Sequence, residues 1–133
     1  MKANETSAKS LNNITVKTGS VQDFFTKVHG IMKNLDEGKS ITPSHTVTFE
    51  DPSEMLHFLN ESKINLINVI RHSPDSITNI AKNAGRSREA VSRDIREMAK
   101  YGLIKISNVI NPGHGRQKII ELVANKLRIE AII

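Results

Sequence analysis

Residues 76–102 read SITNIAKNAGRSREAVSRDIREMAKYG and contain the clearest structural signals of the chain. They predict two helices joined by a short turn. Apolar residues recur at helical spacing from Ser76 to Ala84, which indicates the first helix. Gly85 suits the left-handed position that ends many helices. Ser87 suits the N-cap of a second helix that continues to about Tyr101. So short a turn brings the two helices into close contact.

The second helix has two chemically different faces. Its apolar residues between Ala90 and Met98 form one stripe, so we expect this side to pack in a protein core. The opposite side and the helix entry present arginine and serine, which donate hydrogen bonds to a polyanion. The residues in this set are Arg86, Ser87, Arg88, Ser92, Arg93 and Arg96.

Positive charge is concentrated in the same part of the chain. The 133-residue protein has a formal net charge of +5. Between residues 76 and 105, seven Lys or Arg side chains stand against three Asp or Glu, a balance of +4. Between residues 44 and 75, two basic side chains stand against five acidic ones, a balance of −3. Such a localised basic segment is the electrostatic pattern expected of a nucleic-acid-binding protein.

Two segments rich in β-forming residues follow the second helix. They are Leu103 to Ile110 and Lys118 to Val123, and the loop between them reads NPGHGRQ. A Gly- and Pro-rich loop of this kind is typical of a β-hairpin. Helix, turn, helix and hairpin in this order predict an α+β fold, the winged helix-turn-helix, with the hairpin as the wing. The wing residues that we expect to contact DNA are His114, Arg116 and Lys118.

On this hypothesis the second helix enters a major groove, which is wide enough to admit an α-helix. We expect Arg88, Ser92 and Arg93 to reach base edges, because Arg can contact guanine with two hydrogen bonds. We expect Arg86 and Arg96 to hold phosphates at the edges of that contact.

The chain before residue 46 has a different character. Residues 1–19 are polar, so we expect a flexible tail, in which Ile14 to Val16 form a short strand against a partner. Ser20 to Leu35 predicts an amphipathic helix. We therefore divide the chain into residues 1–45, a tail and helix for dimerisation or partner binding, and residues 46–133, the winged helix-turn-helix domain.

Several other classes of function are not expected from the composition. The chain has no cysteine, so disulfides and thiolate metal sites are excluded. It contains neither a run of roughly 20 apolar residues nor an apolar signal-peptide core, so we expect a cytoplasmic protein without membrane contact. The five histidines lack metal-ligand spacing, and no catalytic motif is present. We expect no metal, no cofactor and no enzymatic activity.

Short motifs between Thr46 and Val123 resemble those of a known group of proteins. They read FEDP at 49–52, SI at 76–77 with IA at 80–81, GR at 85–86 and VSRDI at 91–95. Together they resemble a prokaryotic winged-helix group related to the ArsR and MarR regulators, which includes DNA-binding antitoxins of toxin–antitoxin modules. The resemblance implies a repressor of its own operon that also neutralises a toxin. It also implies that Arg86, Ser92, Arg93 and the wing contact DNA.

Three functions stay open at this level. The protein is an antitoxin-type repressor, a stand-alone regulator with a small-molecule effector, or a winged-helix module that binds only proteins. For the two regulators we expect a homodimer, because two half-sites multiply specificity. The apolar residues of Ser20 to Leu35 or of Leu127 to Ile132 would form its surface, and a toxin would bind the N-terminal region.

Overall fold

A computed structural model describes residues 11–39, 45–113 and 115–133. Over these ranges the protein has a mixed α+β structure, as its sequence predicts. No helix in the described part of the chain combines the length and apolar character needed to cross a membrane. The helices are α1 (Val21–Asp36), α2 (Pro52–Phe58), α3 (Glu61–His72), α4 (Ile77–Ala84) and α5 (Arg88–Lys100). The strands are β1 (Leu11–Thr18), β2 (His45–Phe49), β3 (Ile104–Asn111), β4 (Gly115–Leu122) and β5 (Ala124–Glu130).

The chain forms two compact units. Residues 59–123 contain α3, α4, α5 and the β3–β4 hairpin, and we call them the helix–hairpin unit. Residues 10–58 and 124–133 contain β1, α1, β2, α2 and β5, and we call them the sheet unit. Residues 46–58 and 124–133, which the sequence assigns to the later domain, therefore lie in the unit that also holds β1 and α1.

Serine caps and one glycine fix α4 and α5. The Ser76 hydroxyl accepts a hydrogen bond from Asn79 N at 3.3 Å, and the Ser87 hydroxyl accepts one from Ala90 N at 3.2 Å. Between the helices Gly85 has a φ of 68°, in the left-handed region that glycine adopts without strain. The predicted Gly85 turn and the predicted Ser87 cap are confirmed, and the Ser76 cap is an additional one.

The core of the helix–hairpin unit is aliphatic. From α5, Val91, Ile95 and Met98 are at most 1% exposed, which confirms the predicted stripe. Leu66, Ile70, Ile80 and Ile120 are buried as completely in the neighbouring elements. Burying one such side chain contributes about 1.5–3 kcal/mol to folding. This burial fixes which side of α5 remains open to solvent.

The hairpin is anchored to the start of α4. β3 and β4 pair antiparallel, from Ile104 opposite Leu122 to Asn111 opposite Gly115. Just before α4, Asp75 forms a β-bridge with Ile120: Ile120 N donates to the Asp75 carbonyl at 2.8 Å, and Asp75 N donates back at 3.3 Å. The hairpin therefore cannot move far from the first turn of α4 without breaking two backbone hydrogen bonds.

In the sheet unit, β1 is the central strand of a three-stranded parallel sheet with the order β2–β1–β5. The expectation of a short strand at Ile14 to Val16 that pairs with another molecule is wrong. β1 is longer and pairs within the chain, aligning Val16 with Val47 and with Ile129. Its partners lie about 30 and 110 residues away along the chain, and a local hydrophobic pattern does not identify such distant neighbours.

One face of this sheet is apolar and covered. Ile14 and Val16 of β1 are buried, as are Val47 and Phe49 of β2. α2 packs on the two strands, and the rings of Phe49 and Phe58 lie 5.6 Å apart. β5 begins at Ala124 and ends at Glu130, so it overlaps the segment Leu127 to Ile132 that the sequence offers as a dimer surface.

The predicted amphipathic helix is α1. Its capping box is complete, because the Ser20 hydroxyl accepts from Asp23 N at 3.0 Å and the Asp23 carboxylate accepts from Ser20 N at 3.2 Å. In spite of its apolar stripe, the helix buries none of its residues. The stripe of α1 is therefore not part of the core of its own unit.

Candidate nucleic-acid interface

The helix–hairpin unit contains an open groove of about 660 Å³ that three elements line with polar side chains. The first turn of α4, one side of α5 and the start of β4 meet here. Four of the predicted DNA contacts come together in it, from α5 and from the hairpin. We call it the basic groove; its lining residues are Ser76, Ile77, Thr78, Asn79, Arg88, Ser92, Arg116, Gln117 and Lys118.

The basic groove is positively charged. Arg88, Arg116 and Lys118 are exposed, and the lining contains no carboxylate. Within the described ranges, none of the ion pairs involves these three cations. The start of α4 also lines the groove, where the Asp75 carboxylate accepts a hydrogen bond from Ser76 N and offsets the partial positive charge of that helix end. This arrangement attracts anions.

On α5, Arg88 and Ser92 lie one helical turn apart, so both side chains project from the same side into the basic groove. Arg93 and Arg96 are exposed on the same helix but outside the groove lining. Ser87 is exposed as well, and its hydroxyl oxygen already accepts the capping hydrogen bond from Ala90 N. The predicted contact at His114 lies outside the described residues.

Arg86 has a different environment from the other predicted contacts. Its Nη2 atom lies 2.8 Å from Oδ2 of Asp94, whose side chain is 8% exposed, whereas that of Arg86 is 25% exposed. Its Nη1 atom is buried without a hydrogen-bond partner among the described residues. The ion pair ties the turn between the helices to the middle of α5. It also offsets the charge that Arg86 would offer to a phosphate.

Sequence reasoning missed this pair because the two residues are eight positions apart, across the turn, rather than at the three- or four-residue spacing of pairs within one helix. A second ion pair was missed for the same reason. Lys63 of α3 is 4% exposed, and its Nζ lies 3.5 Å from the Glu97 carboxylate of α5. Both pairs fix the position of α5 within the unit.

Asp75 organises the α4 end of the basic groove. Its Oδ1 atom accepts hydrogen bonds from the Asn79 side chain at 3.0 Å and from Ser76 N at 2.7 Å. These two bonds, the one from Asn79 first, hold the pKa of the Asp75 carboxyl below its ordinary value, and burial only partly opposes them. The carboxylate thereby orients the Asn79 amide, which lines the groove.

The lining of the basic groove is rich in hydrogen-bond donors. Its guanidinium, ammonium, hydroxyl and amide groups are the donors that proteins use to contact phosphate oxygens and base edges. Across residues 11–39, 45–113 and 115–133, no three His, Asp or Glu side chains are grouped so that they could hold a metal ion.

The described residues form an α+β protein whose helix–hairpin unit has a positively charged groove. The chain belongs to the HVO_A0114 family, whose sequence profile matches residues 58–129, or 72 of the 133 residues. The matched region contains the whole helix–hairpin unit and nearly all of β5. The family has no assigned function. No curated protein matches the chain significantly.

Proposed function

We propose that the protein is a winged helix-turn-helix DNA-binding protein that represses transcription. In this proposal α4, the Gly85 turn and α5 are the helix-turn-helix, and the β3–β4 hairpin is the wing. The observation that carries the proposal is the basic groove, where Arg88 and Ser92 of α5 meet Arg116 and Lys118 of the hairpin. A recognition helix and a wing contact adjacent parts of one duplex, which requires such a shared cationic face.

The proposed contacts differ in their roles. Arg88 and Ser92 reach base edges from the groove side of α5, and Arg93 reaches them from the outer side. Arg96 and the two hairpin cations hold phosphates, together with the hydroxyl groups at the start of α4. Arg86 contributes least to DNA affinity, because Asp94 already pairs with its guanidinium.

Footprinting on the DNA upstream of the protein's own gene is the first test. We expect one protected site there. Arg88→Ala should then weaken binding to that site by about 1–3 kcal/mol, or roughly 5- to 150-fold, and should weaken binding to a random duplex less. Arg116→Ala should weaken binding to both duplexes by a similar factor, because phosphates carry no sequence information.

The matched control is Arg128→Ala. Arg128 is exposed on β5 in the sheet unit, so its loss changes net charge as much as Arg88→Ala without touching the groove. We expect it to weaken binding to either duplex much less. Equal losses for Arg88→Ala and Arg128→Ala would mean that net charge, not the groove, drives binding.

Salt dependence separates this function from a winged-helix module that binds only proteins. If the groove neutralises phosphates, log affinity falls linearly with log salt concentration, and removing Lys118 lowers that slope by about 1. Affinity that does not change with salt overturns the proposal.

The narrower role of an autoregulating antitoxin comes from the family resemblance. It requires a toxin, proposed to bind the N-terminal region. The test is expression of the genes adjacent to this one, with and without the protein. Growth arrest that this protein alone relieves supports the antitoxin role. Harmless neighbours, combined with a footprint that a small molecule releases, support a stand-alone regulator.

A further inference from the structure

α1 carries large apolar side chains that its own unit leaves uncovered. Phe25, Met32 and Leu35 are each about 60% exposed, and Val21 is 53% exposed. Val28, between them, is half-buried. We call Val21, Phe25, Val28, Met32 and Leu35 the α1 seam.

The sheet below α1 explains why the seam stays exposed. Side chains alternate between the two faces of a strand. On β2, Val47 and Phe49 are therefore buried on one face, while Thr46 and Thr48 point to the other. α1 lies on this threonine face, where Lys27 Nζ donates to the Thr46 hydroxyl at 2.7 Å. The sheet thus offers α1 hydroxyl groups rather than an apolar surface.

The space between α1 and the threonine face is also incompletely filled. A cavity of about 180 Å³ remains there, lined by Phe24, Val28 and Ile31 of α1 together with Thr46 and Thr48. Closing α1 further onto the sheet would pack apolar groups against hydroxyl groups, which gains little. The seam therefore needs a surface from outside this unit.

The spacing of the seam identifies the kind of surface. Its residues follow one another at intervals of four, three, four and three positions, the repeat of a two-stranded coiled coil. A seam with this repeat is complementary to another helix with the same repeat. We propose that α1 pairs in antiparallel orientation with α1 of a second copy of the chain, with the two-fold axis near Val28.

The exposed area is sufficient for a dimer. Phe24 and Ile31, which are 49% and 37% exposed, extend the seam on one flank. With side chains of this size, the exposed apolar area is on the order of 600 Å² per copy. Two copies would bury on the order of 1,200 Å², the lower limit of standard stable interfaces. A monomer rarely leaves an apolar patch of this size open to water.

The charges of α1 favour the antiparallel orientation. Asp23 and Lys33 each lie five residues from Val28, on opposite sides of it. An antiparallel pair sets Asp23 at the level of the partner's Lys33, whereas a parallel pair sets like charges side by side. Antiparallel helices also place the positive end of each helix dipole beside the negative end of the other.

This inference goes beyond DNA binding and does not depend on it, since the seam and the basic groove belong to different units. The test is therefore made without DNA, by sedimentation of the full-length protein from low to high micromolar concentration. We expect the mass to rise from that of the 14.8 kDa monomer to twice that value. Phe25→Glu should raise the dimer Kd by about 30-fold or more, the effect of removing a central interface residue.

The matched control is Leu56→Glu, because Leu56 is 53% exposed on α2 of the same unit, outside the seam. It should leave the Kd within about threefold of the wild type, as for a residue outside the interface. Circular dichroism should be unchanged in both variants, since both side chains are exposed. A wild type that stays monomeric at every concentration overturns the proposal. Equal dissociation in both variants, or association only with a different protein, also overturns it.

The absence of native cysteine allows a direct test of orientation. Under oxidation, Val28→Cys should cross-link to itself, because Val28 lies near the two-fold axis. Leu35→Cys alone should not, since its two copies would be roughly 21 Å apart along the helix axis. A mixture of Val21→Cys and Leu35→Cys should cross-link. Self-cross-linking of Leu35→Cys without cross-linking of the mixture would indicate a parallel pair and overturn the antiparallel one.

Discussion

α5 and α1 are both capped, amphipathic helices, but their apolar sides lie in opposite environments. Each starts at a serine cap and each carries an apolar stripe. α5 buries Val91, Ile95 and Met98, whereas α1 leaves Phe25 and Met32 largely exposed. Amphipathicity thus predicts a helix in both cases, but not what covers its apolar side.

The difference lies in what each helix meets inside its own unit. The stripe of α5 meets a core built from α3, α4 and the hairpin, so its polar side is free for a ligand. α1 meets Thr46 and Thr48, and its apolar side stays exposed. One helix therefore exposes cations, and the other exposes apolar side chains.

The largest expected effect on stability distinguishes the buried apolar stripe of α5 from the exposed apolar stripe of α1. Ile95→Ala removes a side chain that is 1% exposed and should lower the free energy of unfolding by about 2–5 kcal/mol at any protein concentration. Phe25→Ala should change it by less than about 0.5 kcal/mol in dilute protein, where the chain is monomeric. Urea unfolding at two protein concentrations measures the unfolding free energy of both variants. A large loss for Phe25→Ala in the dilute monomer would show that α1 packs within its own chain.

The ion pair between Arg86 and Asp94 should produce the next largest effect on stability. Asp94→Ala leaves the Arg86 guanidinium without its carboxylate partner. Breaking a buried pair costs about 3–5 kcal/mol. Because Arg86 is one-quarter exposed, we expect about 3 kcal/mol or less here. Glu89→Ala, an exposed carboxylate on the same helix, is the control and should cost under about 0.5 kcal/mol. Similar values for the two variants would mean that the pair contributes little to stability.

Replacing glycine with alanine should destabilise the turn at Gly85 and stabilise α1 at Gly30. Gly85 has a φ of 68°, and no atom lies within 4 Å of the place a Cβ would take. The cost of Gly85→Ala is thus backbone strain alone, about 1–2 kcal/mol. Gly30 is helical on α1 with equally open space, so Gly30→Ala should stabilise by about 0.5–1 kcal/mol. Thermal unfolding of dilute protein measures both changes in stability. A Gly85→Ala variant that is more stable than the wild type would contradict the left-handed geometry of the turn.

These comparisons also show what the sequence can predict. The Ser87 cap and the Gly85 turn depend on residues within one or two helical turns, so local patterns predict them. The same holds for the buried side of α5. Arg88 and Arg116 are each predicted from the sequence as DNA contacts, and the structure shows in addition that both line one groove.

The features that local patterns missed depend on distant contacts. β1 pairs with strands far along the chain in both directions, and Arg86 pairs with Asp94 across a turn. The exposure of the α1 stripe follows from the threonines of β2, which no periodicity in α1 reveals. Such features depend on which helices and strands pack against one another. A local pattern in one sequence does not give that information.

The smallest effect should be the acid sensitivity that the Asp75 carboxyl gives to the helix–hairpin unit. The pKa of Asp75 is lowered in the folded protein, mainly by Asn79, so its charge stabilises the fold above the unfolded pKa near 3.9. That stability is lost as pH falls below about 4 and through the folded pKa. An NMR titration of the Asp75 carboxyl should give a midpoint below that of an ordinary Asp, and Asn79→Ala should move it upward. A midpoint at the ordinary value, unmoved by Asn79→Ala, would mean that the groove end of α4 lacks the hydrogen bonds that orient it.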